Sequence, residues 1–117
     1  MSSFADQTNV KLATLEPRFR QRVAAYTRAV RGVGVPLIVI SGFRTAATQA
    51  HLIRSGRTTA TRSRHLTGQA VDVALAGLTT AQVPRVWWNW LGIVGEHFGL
   101  RWGGRFRRVD LNHFDSG

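Results

Sequence analysis

The sequence predicts a single α+β domain over residues 1–117. Three observations support this fold class. Apolar residues recur at helical spacing in two long segments, and short β-branched runs lie between turn residues. The 117 residues are also enough for one modest hydrophobic core. We find no internal repeat, low-complexity tract or linker that would divide the chain.

The first half of the chain is predicted to contain three helices and one strand. Helices are expected over residues 4–15 and 17–31, the second with a proline in its first turn. The apolar side chains of this second helix recur at steps of three and four: Phe19, Val23, Tyr26 and Val30. Residues 37–40 form a β-branched run typical of a buried strand. A third helix is expected over residues 45–54, capped by its threonine.

The second half is predicted to contain one long helix and three strands. A strand is expected over residues 69–75, a helix from residue 79 or 80 to 98, and strands over 100–102 and 109–114. Asp72 interrupts the otherwise apolar first strand, and a buried carboxylate is costly unless it is paired. Such a local violation indicates a functional position.

The tryptophans of the long helix are predicted to fall on two sides. Its apolar stripe contains two of them and is predicted to face the core: Val83, Val86, Trp87, Trp90, Leu91, Val94 and Phe98. Trp88 lies off this stripe, and we expect it to be exposed near a cleft, where it would support substrate binding.

The net charge of +10 predicts an anionic partner. Nucleic acid, anionic lipid and an anionic cell-wall polymer all satisfy this sign. The absence of cysteine excludes disulfides and thiolate ligands, so a metal site must use His, Asp or Glu. We see no signal peptide and no apolar run long enough to span a membrane. The chain is therefore expected to stay in the cytoplasm in which it is made unless another factor releases it.

Two histidine-containing clusters predict a metal site. His65 and Asp72 lie in one cluster, and His113 lies in the other, three residues after Asp110. Two histidines and an aspartate give the three protein ligands of a catalytic zinc, which leaves a fourth position for water. Asp110 can then act as the general base. The rival pair at residues 96 and 97 lies near a helix end, where a histidine commonly interacts with the helix dipole.

Arg44 and the segment 57–64 are open to more than one interpretation. Arg44 follows the first predicted strand in a turn, where it is either exposed to water or a fixed cation that stabilises an oxyanion. Residues 57–64 are polar and basic, and we expect a loop that leads into the His65 cluster. The sequence leaves open whether this loop closes over a substrate.

Four motifs in order resemble the zinc D-Ala-D-Ala carboxypeptidase family. They are Ser41-Gly-x-Arg44, Ser63-x-His65-x-x-Gly68-x-Ala70-x-Asp72, Trp102-Gly103-Gly104 and Asp110-x-x-His113-Phe114. This VanX/VanY-like group has a hedgehog-type fold and includes phage L-alanyl-D-glutamate endopeptidases. The resemblance implies helices packed on a small antiparallel sheet whose open face holds the metal.

The resemblance also implies roles for individual residues. It implies that Zn²⁺ is bound by His65, Asp72 and His113, that Asp110 is the catalytic base and that Arg44 orients the substrate. Ser63 and Gln49 would support the cleft. Many relatives have glutamate at the position of Asp110, so the base would reach one methylene less far.

The function expected from this resemblance is that of a phage-type endolysin. It would hydrolyse the L-alanyl-D-glutamate bond of peptidoglycan stem peptides and reach the wall of the host through a holin. We expect a monomer without an obligate protein partner, with a positive surface available to an anionic wall or membrane. The alternatives are a D-Ala-D-Ala carboxypeptidase or dipeptidase and, from other classes, an arginine-rich nucleic-acid-binding module or a cationic chain that disrupts membranes without catalysis.

Overall fold

Four helices pack on a four-stranded antiparallel sheet, which confirms the predicted α+β fold class. The computed structural model describes residues 4–56 and 63–117. The helices are α1 (Phe4–Ala13), α2 (Pro17–Gly32), α3 (Ala46–Arg54) and α4 (Arg85–His97). The strands are β1 (Leu37–Ser41), β2 (Ala70–Leu75), β3 (Arg101–Trp102) and β4 (His113–Asp115). Short 3₁₀ turns cover Arg64–Thr67, Thr80–Gln82 and Gly103–Arg105. None of the described helices is long and apolar enough to cross a membrane.

The register of the sheet separates a core face from an open face. The strand order is β1-β2-β4-β3, and Val71 lies opposite Phe114 while Asp72 lies opposite His113. Because successive side chains of a strand point to opposite faces, the valine and phenylalanine enter the core and the aspartate and histidine face outward. The same alternation places Asp115 on the open face, beside Arg101, its cross-strand partner on β3.

Helices α2 and α4 cover the core face of the sheet. Tyr26 of α2 is buried and donates a hydrogen bond from its hydroxyl to the carbonyl oxygen of Leu91, 2.8 Å away. On α4, Gly92 leaves room for the ring of Trp102 and Gly95 for the ring of another core aromatic. A Cβ at Gly92 would lie 2.1 Å from the Trp102 ring, so this close approach requires glycine.

Helix α1 protects the edge of the sheet at β1. Thr8 is buried, and its hydroxyl accepts a hydrogen bond from the Val39 amide at 3.1 Å and one from Arg31 at 3.0 Å. The Thr8 hydroxyl thus accepts a hydrogen bond from the Val39 amide at the sheet edge, which could otherwise pair with another strand. An irregularity of the β1–β2 register between Val39 and Ser41 follows, and the chain then turns towards the open face.

The predicted exposure of the tryptophans is wrong. Trp88 is fully buried and donates from its indole nitrogen to the carbonyl oxygen of Thr80 at 3.1 Å. Trp87 and Trp90 are 46% and 37% exposed. The physical reason is that α4 turns its glycines towards the sheet, and the residues beside them in that face, including Trp88, are buried with them. A pattern that counts large apolar residues gives no weight to glycine.

Two predicted boundaries also differ from the structure. Helix α4 begins at Arg85 because Pro84 disfavours helical geometry at Val83, which has an extended ψ of 121°. The last strand begins at His113, four residues later than predicted. The amide of Asp110 is instead bonded to the carbonyl oxygen of Gly103 at 2.9 Å, in a turn.

Candidate metal centre

Three elements bring His65, Asp72 and His113 together on the open face. His65 lies in the 3₁₀ turn Arg64–Thr67, and the two other residues are cross-strand neighbours on β2 and β4. The Ser63 side chain caps this turn by accepting from the His65 amide at 3.2 Å. Gly68 ends the turn at a φ of 70°, a left-handed conformation that favours glycine. The spacing of the motif Ser63-x-His65-x-x-Gly68-x-Ala70-x-Asp72 is therefore that of a capped turn leading into a strand.

The three side chains can hold one metal ion. Nε2 of His65 lies 3.4 Å from Oδ2 of Asp72, and Nδ1 of His113 lies 3.4 Å from Oδ1 of the same carboxylate. One ligand atom from each residue falls within 4.8 Å of the other two. Ligands about 2.1 Å from a tetrahedral zinc lie roughly 3.4 Å apart, so the carboxylate already stands at ligand spacing from both imidazoles.

The hydrogen bonds of the two imidazoles fix which nitrogen faces the cluster. Nδ1 of His65 donates to the carbonyl oxygen of Gly42 at 2.7 Å, because a carbonyl only accepts. Nε2 of His65 is then buried without a hydrogen-bond partner, the only such side-chain atom among the described residues. Nε2 of His113 bonds to Asp115 at 2.8 Å, which leaves Nδ1 towards Asp72. A buried nitrogen without a partner is costly, so its position fits a metal ligand.

Asp115 was not predicted as a site residue. It is 1% exposed, accepts two hydrogen bonds from Arg101 at 2.7 and 2.8 Å and accepts another from Nε2 of His113. A carboxylate behind a ligating imidazole fixes the orientation of the ring and raises its basicity. The sequence did carry a signal, because residues two apart on a strand share a face.

The charges of the cluster stabilise one another. Burial raises the pKa of Asp72, but the neighbouring imidazoles of His113 and His65 outweigh it and hold the pKa well below its usual range. Burial lowers the pKa of His113, but hydrogen bonds to Asp115 and Asp72 raise it to about 9. In the metal-free protein near pH 7, His113 is therefore a cation between two carboxylates.

Asp110 lies at the edge of the same cluster. Its Oδ2 is 4.0 Å from Nδ1 of His113, and its side chain is 53% exposed. Burial raises the pKa of Asp110, and the negative charge of Asp72 raises it further. A carboxyl with a raised pKa beside a cleft is suited to accept a proton and return it. The backbone of this turn is fixed against Gly103, where a Cβ would lie 2.2 Å from the Asp110 carbonyl oxygen.

Arg44 is held rigidly beside the cluster. One guanidinium nitrogen lies 3.0 Å from Oδ2 of Asp72, and the other donates to the Gln49 side chain at 3.0 Å. The Arg44 amide donates to the carbonyl oxygen of His65 at 2.8 Å. The side chain is only 16% exposed, so the interpretation as a water-exposed turn residue is wrong. Gln49 is buried on α3 and orients the arginine from behind.

The cluster lies in a cleft of about 1160 Å³. Four arginines line it among the described residues: Arg44, Arg64, Arg101 and Arg108. Three aspartates line it as well: Asp72, Asp110 and Asp115. Ser63 lines the cleft, whereas the buried Trp88 does not. Of the predicted loop 57–64, residues 57–62 lie outside the described residues.

The rival pair at residues 96 and 97 does not line this cleft. Glu96 accepts two hydrogen bonds from Arg105, one of them at 2.8 Å, and His97 is exposed at the end of α4. Both residues therefore belong to the surface of the helix.

The chain matches one known protein family. The profile of a peptidase M15 family described as D-alanyl-D-alanine carboxypeptidase matches residues 56–116. No curated protein sequence is significantly similar to the chain. The matched region contains His65, Asp72, Asp110 and His113.

Solved structures of three peptidases share the fold. The L-Ala D-Glu endopeptidase ChiX from Serratia marcescens has a TM-score of 0.75 and 26% sequence identity, over 93% of this chain and 85% of ChiX. A VanY D,D-pentapeptidase in complex with Zn(II) has a TM-score of 0.66 and 21% identity, over 88% and 73%. The LD-carboxypeptidase LdcB has a TM-score of 0.68 and 14% identity, over 86% and 58%.

Proposed function

Because this chain belongs to the peptidase M15 family described as D-alanyl-D-alanine carboxypeptidase, we propose that it is a zinc-dependent peptidoglycan peptidase that cleaves the L-alanyl-D-glutamate bond of stem peptides. One observation carries the metal-dependent chemistry. The buried Nε2 of His65 has no hydrogen-bond partner and lies at ligand spacing from Asp72, which stands at the same spacing from His113. A metal ion bound by these three residues completes the site.

The choice of bond rests on the similarity to ChiX. That endopeptidase is 26% identical to the chain and is matched over 85% of its own length. The other two similar peptidases are 21% identical or less and are matched over smaller shares of their own length. The similarity of this chain to ChiX in sequence and in length therefore favours an endopeptidase. Such an enzyme must admit a peptide on both sides of the scissile bond.

The residues of the cleft supply the remaining parts of a peptide hydrolysis. A zinc ion held by His65, Asp72 and His113 would lower the pKa of water and polarise the scissile carbonyl. Asp110 accepts the proton of the attacking water and delivers it to the leaving amine. Arg44 places a fixed positive charge beside the carbonyl oxygen, where negative charge develops.

The first test is a digest of purified peptidoglycan with and without a chelator, followed by identification of the new termini. We expect new N-terminal D-glutamate, its loss with the chelator and its recovery when zinc is returned. The Asp110→Asn variant should bind zinc and release product at least about 100-fold more slowly, and the surface variant Glu96→Gln should behave as the wild type. Product formation that persists after complete metal removal would refute the proposal.

A D-Ala-D-Ala carboxypeptidase is the second candidate, and the description of the matching family favours it. The same digest separates the two, because a carboxypeptidase releases terminal D-alanine and leaves the L-alanyl-D-glutamate bond intact. The family assignment itself favours either peptidase over the nucleic-acid-binding module.

The role as a phage endolysin that reaches the wall through a holin stays a prediction from the sequence. Expression in a bacterial host with and without a holin tests it. Lysis should require both the holin and an intact Asp110. Lysis by the Asp110→Asn variant would contradict a peptidase role in this process.

A further inference from the structure

The outward side of helix α4 carries a row of exposed apolar residues. Val86 is 70% exposed, Ile93 57%, Trp87 46% and Trp90 37%. Val86, Trp90 and Ile93 follow one another at steps of four and three, so they form one line along the helix. We call these four residues the α4 apolar face. None of them lines the cleft described above.

This face lies opposite the side by which α4 is anchored. The buried residues of the helix are Trp88, Leu91, Gly92 and Gly95. At 100° per residue they centre on the side of the helix away from the line through Trp90. The core therefore holds the helix by one side, and the α4 apolar face requires no rearrangement to meet a partner. Trp87 and Trp90 contact each other edge to face, with their ring centroids 6.0 Å apart.

The charges around this face are positive. Arg85 begins the helix and bonds to Asn89 at 3.1 Å, and Arg22 of α2 reaches the carbonyl oxygen of Gly99 just beyond the other end at 3.5 Å. Glu96 is the only acidic residue between Arg85 and Gly99, and Arg105 neutralises it. The helix that carries the face thus has an arginine near each of its ends, on a chain of net charge +10.

We propose that the α4 apolar face docks onto the surface of an anionic phospholipid bilayer, with α4 lying in the plane of the headgroups. Tryptophan favours this interface because its ring is apolar and its N–H is polar. Arginines at the helix ends meet the lipid phosphates, and the aliphatic side chains enter the acyl boundary.

Two other occupants fit this face less well. A second copy of the chain would bring two net charges of +10 together, which opposes association. A glycan needs a flat aromatic platform with polar groups beside it, whereas this aromatic pair is edge to face and is flanked by Val86 and Ile93. The apolar flanks and the positive ends together select an anionic lipid.

The test measures binding of the full-length chain to vesicles. Vesicles that contain phosphatidylglycerol should bind the protein, and vesicles of phosphatidylcholine alone should bind it far less. Because Trp88 and Trp102 are already buried, a blue shift of tryptophan emission on binding reports Trp87 and Trp90. The double variant Trp87→Ala/Trp90→Ala should lower the vesicle partition coefficient by about tenfold or more.

Two further variants make the test specific. Val86→Ser/Ile93→Ser removes the aliphatic part of the face and should also weaken binding. The matched control Val10→Ser/Val33→Ser alters valines that are 64% and 68% exposed on other elements, and it should bind as the wild type. All variants should keep the wild-type rate on a soluble stem peptide, because no altered residue lies in the cleft.

Several results would overturn the proposal. Vesicle binding that survives both α4 variants would assign binding to net charge alone. Equal weakening by the control variant would show that binding is not specific to the α4 apolar face. Absence of binding to anionic vesicles would reject the lipid directly. A dimer in lipid-free sedimentation that the tryptophan variant dissociates would show that a second copy occupies the face.

Discussion

Replacing Gly103 by alanine tests whether the predicted base and a predicted metal ligand are held by one close backbone contact. A Cβ at Gly103 would lie 2.2 Å from the carbonyl oxygen of Asp110 and 3.0 Å from Cβ of His113. The backbone of Gly103 has no positive φ, so alanine meets a purely steric obstacle there. Both neighbours belong to the proposed catalytic site.

The size of the effect follows from these distances. An ordinary contact for a Cβ is 3.4–4 Å, so the Asp110 carbonyl must retreat by about 1 Å. That oxygen accepts the His113 amide at 3.2 Å, so the turn that sets the distance between base and ligand moves with it. A misplacement of about 1 Å costs roughly 100-fold in rate. Overpacking of this kind destabilises a protein by about 1–3 kcal/mol.

The assay is hydrolysis of a stem peptide at saturating zinc, combined with thermal unfolding. Gly103→Ala should lower kcat by about 100-fold and Tm by roughly 5–10 °C while remaining folded at the assay temperature. Gly32→Ala is the matched control, because a Cβ there meets nothing within 4 Å and φ is not in the left-handed region. It lies at the end of α2 and should leave kcat unchanged and stability equal or slightly higher.

The outcome that contradicts this reasoning is plain. If Gly103→Ala retained the kcat and Tm of the wild type, the carbonyl of Asp110 would not be packed against Gly103. If Tm fell while kcat stayed the same, the contact would stabilise the fold without positioning the base.

The remaining predictions concern charge and metal. Asp110→Asn should lower kcat by about 10²–10⁴-fold with unchanged zinc stoichiometry in calorimetry, and loss of zinc would show that Asp110 is a ligand. Asp115→Asn should weaken zinc binding by about 10–100-fold, while Glu96→Gln should not change it. Both affinities are measured in chelator-buffered zinc at a pH above the His113 pKa of about 9, where protons no longer compete with zinc for the imidazole. Equal affinities would refute the role of Asp115. Below that pKa, zinc must displace the proton on Nδ1 of His113. Zinc affinity should therefore rise with pH towards about 9, with proton release visible in buffers of different ionisation enthalpy, and a pH-independent affinity would contradict the assignment.

The sequence predicted the fold class and the family because both depend on local patterns. The helices α1 to α3 and the strand β2 lie within a few residues of their predicted bounds, because caps, prolines and β-branched runs act within a few residues. The cluster of His65, Asp72 and His113 was also predicted, and the structure brings these side chains together. Their role as zinc ligands stays a prediction.

The exposure of the tryptophans could not be predicted from hydrophobic periodicity. The face that α4 buries is decided by which of its sides admits the rings of Trp102 and Phe114, and that side contains Gly92 and Gly95. Tertiary packing decides which side of the helix contacts the sheet, so the apolar residues of the helix alone do not predict it. The same choice leaves Trp87 and Trp90 on the outside, where they create the proposed lipid-binding face.

Asp115 shows what the register of the sheet adds to the motifs. Its position two residues after His113 assigns it to the open face, but only the pairing of β3 with β4 places Arg101 opposite it. A buried carboxylate is tolerated when it is paired, and Asp115 has both the arginine and the His113 imidazole as partners. The arginine thus holds the carboxylate, and the carboxylate holds the imidazole with Nδ1 towards Asp72. It follows that an edge strand of only two residues determines the orientation of a proposed zinc ligand, so removing the charge of Arg101 should weaken zinc binding without touching the cluster itself.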